Sequence, residues 1–236
     1  MKGIFYGIGI GPGDPELITL KAVHILKQVD VVIAPRTNSR ADSTALNIAR
    51  PHIKGDTEIL ELIFPMVDDE RELNEAWENN KLTILDLLQT GKQVAFLTLG
   101  DPMLYSTYIY ILRLLAKHPV DIQTIPGITS FAASASRVGF PLAEGNEILT
   151  IVPATCQAEK LSMALALSDN VVLMKVSRNT AKLIDEMSTH HLLDHAVMVS
   201  KCGHKDESIL FDLRSPELKP TYLSTILAKK HSTGIK

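Results

Sequence analysis

Apolar and polar positions along the first half of the chain alternate in blocks that predict strands and helices in turn. Short apolar runs, each bounded by Gly, Pro or charged residues, predict buried strands of a parallel sheet. These runs lie at residues 3–10, 30–34, 58–62 and 94–98. Charged and apolar residues from 69 to 88 predict one long helix, with Gly91 just beyond its end. Strands that alternate with helices favour an α/β fold.

The run at residues 94–98 stops sharply at Gly100-Asp101-Pro102. Gly100 permits backbone conformations that other residues resist, and Pro102 fixes its own φ. Apolar residues then recur at helical spacing, at Tyr108, Ile111, Leu112 and Leu115. Ligands bind at the carboxyl ends of strands in open α/β sheets, so this loop is a candidate site. From these residues alone, a plain connection in which Asp101 caps the helix remains an equal alternative.

A glycine-rich segment at residues 9–16 follows the first predicted strand. Asp14 suits the N-cap position, Pro15 the first helical position, and Glu16 the positive end of the helix dipole. The predicted helix continues through Ile18, Ala22, Ile25 and Val29. Glycines before a helix are typical of anion-binding loops, but the segment lacks the Walker lysine and the full GxGxxG pattern. Spacing alone therefore favours a tight turn.

The second half of the chain changes character. Strands are predicted at residues 121–125, 148–152, 171–176, 196–201, 208–211 and 222–228, and helices at 160–167 and 180–187. Thr129 or Ser130 is expected to cap a helix of small residues that ends at Gly139. Strands that follow one another without helices imply antiparallel pairing, hence a mixed sheet. We place the domain boundary near 119, which gives domains 1–119 and 120–236, with a boundary near 145 as the alternative.

Composition narrows the class of protein. The 236 residues are 45% hydrophobic and 22% charged, as in ordinary globular proteins. A net charge of −3 argues against a nucleic-acid coat and against binding to anionic membranes. Cys156 and Cys202 do not form a CxxC motif. No apolar run approaches the length of a membrane span and no signal peptide is apparent, so we expect a soluble, cytoplasmic protein.

Three segments together resemble the tetrapyrrole methylase family. Residues 9–22 match its N-terminal signature, Leu99-Gly100-Asp101-Pro102 matches a second motif, and residues 126–130 match a third. Their order and spacing fit over nearly the whole chain. The resemblance implies two α/β domains, the N-terminal one with a mainly parallel sheet and the C-terminal one with a mixed sheet, both carrying helices.

Within the family, the chain looks like the branch that methylates carbon 20 of precorrin-2 or of its cobalt complex. This closer likeness lies in residues 34–35, 98–107, 129–133, 173–176 and 222–227. Uroporphyrinogen III methylases typically carry Gly-Gly-Asp-Pro-Phe followed by Gly-Arg-Gly, from which this chain departs at Leu99, Met103 and Ser106. Some of them also have an Asp near the position of Pro35, so that proton acceptor does not carry over.

The resemblance implies that S-adenosylmethionine binds in the cleft between the two domains, usually of a homodimer. Carried over position by position, the cofactor-binding residues are Pro12, Leu99, Gly100, Asp101, Leu104, Thr129, Ser130 and Met174, with Ser106, Thr107, Val176 and Gly203 as weaker candidates. The glycine loop is implied to face the tetrapyrrole, so Gly11 and Gly13 are candidates for binding the substrate.

Methyl transfer from a sulfonium requires that the methyl group and the accepting carbon be aligned, more than it requires covalent catalysis by the protein. Such orientation can lower an activation barrier by roughly 7–11 kcal/mol. We expect Gly100 to let the loop approach the cofactor and Asp101 to anchor or polarise it. Asp101 and Tyr105 are the candidates for removing the proton from the methylated carbon. If Asp101 is instead a helix N-cap, its contribution is about 1 kcal/mol of stability.

A polycarboxylate substrate calls for Arg and Lys side chains near the site. Arg36, which directly follows the second strand, and Lys21 are the leading candidates. Other cations beside predicted strand ends are Arg40, Arg137, Lys175 and Arg178. For each one, a solvated surface charge is the alternative. His190, His191, His195 and the Cys202-Gly203-His204 segment lack a second ligand cluster, so we expect no resident metal; any cobalt arrives inside the substrate.

The sequence therefore predicts an S-adenosylmethionine-dependent C-methyltransferase of cobalamin (corrin) biosynthesis, with a tetrapyrrole substrate and neither nucleic-acid nor membrane partners. One alternative keeps the fold and cofactor but changes the acceptor to another precorrin position, uroporphyrinogen III, or the modified histidine that diphthine synthases methylate. The other is a non-enzymatic module that binds a nucleotide or anion through the glycine loop.

Overall fold

A computed structural model describes residues 3–38, 43–65, 69–177 and 179–231. The chain divides into two compact units, Met1–Thr129 and Ser130–Lys236, and a five-stranded sheet lies in each. Arg40 and Arg178, two of the candidate substrate cations, lie outside the described residues, as does most of the loop predicted between the second strand and the following helix.

The first sheet consists of β1 (Ile4–Gly9), β2 (Val31–Arg36), β3 (Glu58–Ile63), β4 (Val94–Thr98) and β5 (Asp121–Ile125). Its order is β3-β2-β4-β1-β5, and each pair of neighbours is parallel. The predicted parallel α/β architecture is confirmed. Because all five strands run the same way, their carboxyl ends share one edge of the sheet, with β4 and β1 at its centre.

The helices of this unit are α1 (Leu20–Leu26), α2 (Thr44–Ala49), α3 (Glu70–Gln89) and α4 (Tyr108–Leu115). Alternate residues of each strand point to opposite faces of the sheet and pack in two separate hydrophobic cores. On one face, Ala95 and Leu97 of β4 pack in a cluster with buried residues of α1 and α2. On the other, Val94 and Phe96 pack with α3 and α4. The sheet is therefore covered on both faces, which explains its continuous apolar strands.

The single helix predicted from Pro15 onwards is wrong. Pro15–Leu17 form a 3₁₀ turn capped by Asp14, the chain is extended at Ile18, and α1 begins only after Thr19. The Thr19 hydroxyl accepts a hydrogen bond from Ala22 N–H at 3.3 Å. This second cap starts a new helix and leaves the 3₁₀ turn as a separate element.

The division between the two units falls later than the boundary placed near residue 119. β5 pairs in parallel with β1, with Ile4 opposite Asp121 and Ile8 opposite Ile125. It therefore completes the first sheet. Nothing in the residues of this strand specifies which sheet it joins, which is why a boundary near 119 places it in the second domain.

The second unit contains α5 (Ser130–Val138), β6 (Leu149–Pro153), α6 (Ala158–Leu167), β7 (Asn170–Met174), α7 (Thr180–Thr189), β8 (Ala196–Ser200), β9 (Ser208–Leu210) and β10 (Ser224–Lys229). The sheet order is β6-β7-β10-β8-β9. β6 and β7 are parallel, whereas β10 is antiparallel to both β7 and β8. The predicted mixed sheet is confirmed. Within the described residues, no helix of either unit has the length and apolar character needed to cross a bilayer.

Candidate active site

Loops from β1 and β4 are joined backbone to backbone at the carboxyl edge of the first sheet. Gly100 N–H donates to the Gly11 carbonyl at 2.8 Å, and Gly11 N–H donates to the Gly100 carbonyl at 3.4 Å. Both residues have positive φ, +76° at Gly11 and +70° at Gly100. Other residues are strained in this conformation, so the pairing depends on two glycines.

The loop after β5 packs against the same place. A Cβ on Gly127 would lie 2.1 Å from the Gly100 carbonyl oxygen, and a Cβ on Gly9 would lie 2.5 Å from Gly127 N. The three backbones are therefore in direct contact, with no room for a side chain between them. Gly127 is a position of the candidate site that the sequence predictions do not include; its signal is the Pro-Gly dipeptide directly after a strand.

Asp101 ties two of these loops together. Its Oδ2 accepts a hydrogen bond from Gly127 N–H at 3.0 Å, and its Oδ1 accepts one from Met103 N–H at 2.8 Å. The alternative that Asp101 caps the following helix is wrong, because α4 starts only at Tyr108. Its carboxylate instead fixes the shape of its own turn and the position of the loop after β5.

The rest of the β4 loop is compact. Ser106 Oγ donates to the Pro102 carbonyl, so this hydroxyl closes the turn from within. Thr107 directly precedes α4, and Leu99 and Leu104 are half-buried. Tyr105 has a φ of +49° and an exposure of 44%, which identifies a strained, accessible residue. Thr98, at the end of β4, has a buried hydroxyl that lacks a hydrogen-bond partner in the described part of the chain.

The candidates for substrate binding lie at the same carboxyl edge of the first sheet but differ in how exposed they are. Gly11, Pro12 and Gly13 are buried, whereas Lys21 is exposed in the first turn of α1. Arg36 ends β2, and its guanidinium forms an ion pair with Glu61 on the neighbouring strand β3. Arg36 Nε is buried and has no acceptor among the described residues. Glu61 is a counter-ion of Arg36 that the sequence alone does not predict.

The remaining cofactor candidates lie in the second unit, apart from Thr129, the last residue of the first. Ser130 Oγ is 3.3 Å from Thr225 Oγ1 at the start of β10, and Met174 ends the neighbouring strand β7. Gly203, after β8, has a φ of +79°. These positions share the edge of the second sheet where β7 and β8 end. Val176 is fully buried and packs in the core of the unit.

Charges near Gly203 are paired. Arg137 Nε donates to Glu207 at 2.7 Å, and the other carboxylate oxygen accepts from Gly203 N–H at 2.8 Å. Burial acts to raise the pKa of Glu207, but these hydrogen bonds and the nearby guanidinium outweigh it and hold the pKa below its ordinary value. Arg137 therefore already pairs with a carboxylate of its own chain. Lys175, another candidate substrate cation, is exposed and has a φ of +59°.

One of the histidines considered as metal ligands is placed beside a serine of another helix. His190 directly follows α7, and its Nε2 lies 3.0 Å from Ser162 Oγ on α6. Among the described residues, no three His, Cys, Asp or Glu side chains are grouped so as to hold a metal ion.

Comparison with known proteins adds evidence of common ancestry. Residues 5–215 match the family model of tetrapyrrole (corrin/porphyrin) methylases. A cobalt-precorrin-2 C(20)-methyltransferase of Salmonella typhimurium is 36% identical over 233 residues, which is 98% of each chain. A precorrin-2 C(20)-methyltransferase of a Sinorhizobium species is 31% identical, covering 95% of this chain and 94% of its own. The crystal structure of a cobalt precorrin-4 methyltransferase is 27% identical with a TM-score of 0.73, covering 96% of this chain and 94% of its own.

Proposed function

Because the chain belongs to the tetrapyrrole methylase family, we propose that it transfers a methyl group from S-adenosylmethionine to carbon 20 of precorrin-2 or of its cobalt complex. This is the reaction that the sequence predicts, in the biosynthesis of cobalamin. The relatives named for it align with nearly the whole chain. The observation that carries the proposal is the Asp101 carboxylate, which holds the β4 loop and the Gly127 loop together at the carboxyl edge of a parallel sheet.

The residues present fit such a cofactor. Contacts among the backbones of Gly9, Gly100 and Gly127 fix the loops at this edge. The buried Thr98 hydroxyl at the end of β4 lacks a hydrogen-bond partner among the described residues, and Leu99 and Leu104 add half-buried apolar surface. Backbone groups in a fixed loop need no ordering on binding, so little conformational entropy is lost there. Pro12, Gly100, Asp101, Ser106 and Thr107 complete the candidates in the first unit. Thr129, Ser130, Met174, Val176 and Gly203 remain candidates from the family resemblance.

When bound, S-adenosylmethionine supplies an electrophilic methyl group on its sulfonium. The part of the protein is to hold donor and acceptor in line and to exclude water, an effect of orientation. Asp101 contributes by fixing two loops, because each of its carboxylate oxygens already accepts a backbone hydrogen bond. Asp101 and Tyr105 are our two candidates for accepting the proton that leaves the methylated carbon, Asp101 through the free lone pairs of its carboxylate and the exposed Tyr105 only as a phenolate.

The acceptor carries several carboxylates, and Arg36 is the cation we assign to one of them. Its guanidinium lies at the end of β2 with a buried Nε donor that lacks an acceptor among the described residues. Gly11 and Gly13 are buried and remain candidates from the family resemblance, and Lys21 is an exposed cation farther along the same segment. The direct test is Arg36→Gln, which should raise KM for the tetrapyrrole more than KM for the cofactor.

The structure disfavours a module that binds phosphate through the glycine loop. Gly11 N–H donates to Gly100, and Pro12 and Pro15 have no N–H to offer. The element that follows is a three-residue 3₁₀ turn, whose dipole is small compared with that of a long helix. Calorimetry with S-adenosylhomocysteine and ATP separates these functions; we expect binding of the first only.

The decisive experiment is incubation of the protein with S-adenosylmethionine and either precorrin-2 or its cobalt complex, followed by mass spectrometry. We expect the gain of one methyl group, and an isotopically labelled methyl should appear on carbon 20. Methylation at another carbon would overturn the assignment of the acceptor but not the reaction class. The predicted homodimer and cytoplasmic location remain proposals, and native mass spectrometry tests the first.

A further inference from the structure

His52 makes a long-range hydrogen bond to the glycine-rich segment. Its Nε2 lies 3.0 Å from the carbonyl oxygen of Pro15, a residue 37 positions earlier in the chain. A carbonyl can only accept, so Nε2 carries the proton and the imidazole donates. The bond joins the turn after Gly13 to the end of the α2 segment.

The turn that receives this bond lies between two anchored residues, Gly11, which pairs with Gly100, and Ile18, which is buried in the core. None of the three residues Pro15–Leu17 is buried. Asp14 caps the turn through Glu16 N–H, and Leu17 N–H and Ile18 N–H bond back to Asp14 and Pro15. These bonds set the shape of the turn but do not attach it to the sheet.

The donor, by contrast, stands on rigid structure. His52 ends a 3₁₀ turn, Arg50–His52, that continues directly from α2. In α2, Ala45, Leu46, Ile48 and Ala49 are buried in the core beneath the sheet. Pro51 fixes the backbone just before the histidine. The imidazole therefore extends from a fixed helix end to an element that has no buried residue of its own.

From this geometry we propose that His52 is a positioning residue for the tetrapyrrole. It holds the Asp14–Leu17 turn, which follows directly on Gly11–Gly13, in the conformation that receives the acceptor, while the Gly100 and Asp101 loop that we assign to the cofactor has its own bonds to Gly11 and Gly127. The inference rests on the proposed function, because that function assigns the glycine segment to the acceptor. It adds a residue that carries no sequence signal and lies far from the loop in the chain.

Three substitutions at one position test the proposal. The amide of glutamine can place a donor near Nε2, whereas the shorter asparagine cannot, and leucine has no donor. We expect His52→Leu and His52→Asn to raise KM for the tetrapyrrole about fivefold, the loss expected for one hydrogen bond. KM for S-adenosylmethionine should stay within about twofold, and His52→Gln should restore the KM for the tetrapyrrole. The exposed His24 on α1 provides the control, and His24→Leu should leave both constants unchanged.

Amide hydrogen exchange supplies a second readout that needs no turnover. The amides of Leu17 and Ile18 should exchange several-fold faster in His52→Leu than in the wild type, and His52→Gln should slow them again. If KM and exchange are unchanged in His52→Leu, or if glutamine is no better than leucine, the proposal is overturned. Equal rises in both KM values also overturn it. A wild-type protein that methylates neither precorrin-2 nor its cobalt complex would refute the proposed function, whereas the exchange experiment would still decide whether His52 holds the turn.

Discussion

The carboxylate of Asp101 accepts a hydrogen bond from the backbone N–H of Gly127, 3.0 Å away, so one side chain joins the loops that follow β4 and β5. The two strands are separated in the sheet by β1, whose own loop contributes Gly11 to the same contact through Gly100. The three loops that follow β1, β4 and β5 are therefore held in place by one set of contacts. A change at Asp101 or Gly127 should therefore alter the whole edge rather than one loop.

Replacement of Asp101 by Asn tests this link. The amide can accept from only one of the two N–H groups and turns its own NH₂ towards the other, so a half-buried donor loses its acceptor. Such a loss costs about 1–3 kcal/mol. We expect the Kd for S-adenosylhomocysteine, measured by calorimetry, to rise about tenfold, since 1.4 kcal/mol corresponds to a factor of ten.

Asp30 offers a matched control for Asp101. Its carboxylate also accepts a backbone hydrogen bond, from Gln93 N–H at 2.7 Å, but at the amino edge of the same sheet. Asp30→Asn should therefore change stability without changing the Kd for S-adenosylhomocysteine. An Asp101→Asn variant that binds S-adenosylhomocysteine as tightly as the wild type would show that the carboxylate does not support cofactor binding.

Gly127→Ala tests the contact between backbones. The new methyl group would lie 2.1 Å from the Gly100 carbonyl oxygen, and neither backbone can move without disturbing the Asp101 bond. Overpacking of this kind typically destabilises by about 1–3 kcal/mol. Urea unfolding should reveal a loss of this size and calorimetry weaker binding of S-adenosylhomocysteine. The control is Gly55→Ala, since a Cβ at Gly55 has no neighbour within 4 Å and should be tolerated.

The strands and loops of the first unit follow from local sequence, and the contacts between them do not. Apolar runs bounded by turn residues predict β1 to β5, and Gly100-Asp101-Pro102 predicts a sharp loop after β4. Yet the same Asp serves equally as a helix cap or as a link to another loop, because capping and linking use the same carboxylate chemistry. The choice depends on where Gly127 lies, which the order of the strands decides.

Contacts between residues far apart in the chain cannot be predicted from the sequence for a similar reason, since they depend on how the elements are arranged. The sequence places Tyr108 among apolar residues at helical spacing, but that its ring covers Gly7 depends on the position of the helix over the sheet. The His52 bond to Pro15 and the Arg36 pair with Glu61 likewise join residues that no periodicity relates. In the second unit, the mixed sheet was predictable because β8, β9 and β10 follow one another without helices.

The Arg36–Glu61 pair leads to a prediction about the substrate. Both side chains are partly exposed, at 21% and 36%, so the pair should contribute less than about 1 kcal/mol to stability. Glu61 is nevertheless a carboxylate that competes with those of the acceptor for the same guanidinium. Glu61→Gln should therefore lower KM for the tetrapyrrole about two- to fivefold, an effect that diminishes at high salt.

The matched control for this prediction lies on the same strand. Glu58, at the amino end of β3, pairs with Lys92 at 2.8 Å and is far along the strand from Arg36. Glu58→Gln should leave KM unchanged at every salt concentration. If Glu61→Gln instead raises KM for the tetrapyrrole, the carboxylate orients Arg36 rather than competing for it.

Lys229 and Glu147 give a prediction about stability that is independent of the site. The Lys229 side chain is 2% exposed, and its ammonium lies 3.3 Å from Glu147, whose side chain is 33% exposed. Asn170 and the Glu144 N–H also bond to this carboxylate. Removal of Glu147 leaves a buried cation without its counter-ion, whereas removal of Lys229 leaves a carboxylate that is still hydrated and hydrogen-bonded. Glu147→Ala should therefore lower the free energy of unfolding much more than Lys229→Met.

The dependence on pH provides a further test of this pair. Hydrogen bonds from Asn170 and Glu144 N–H, opposed by burial and assisted by Lys229, lower the pKa of Glu147 from its ordinary value of 4.5. A carboxyl whose pKa is lower in the folded state stabilises the protein above the unfolded pKa, and this contribution is lost as pH falls through the folded value. The difference in urea midpoint between the wild type and Glu147→Ala should thus shrink on acidification below about pH 4.5. A difference that stays constant down to acid denaturation would show that the Glu147 charge does not stabilise the fold.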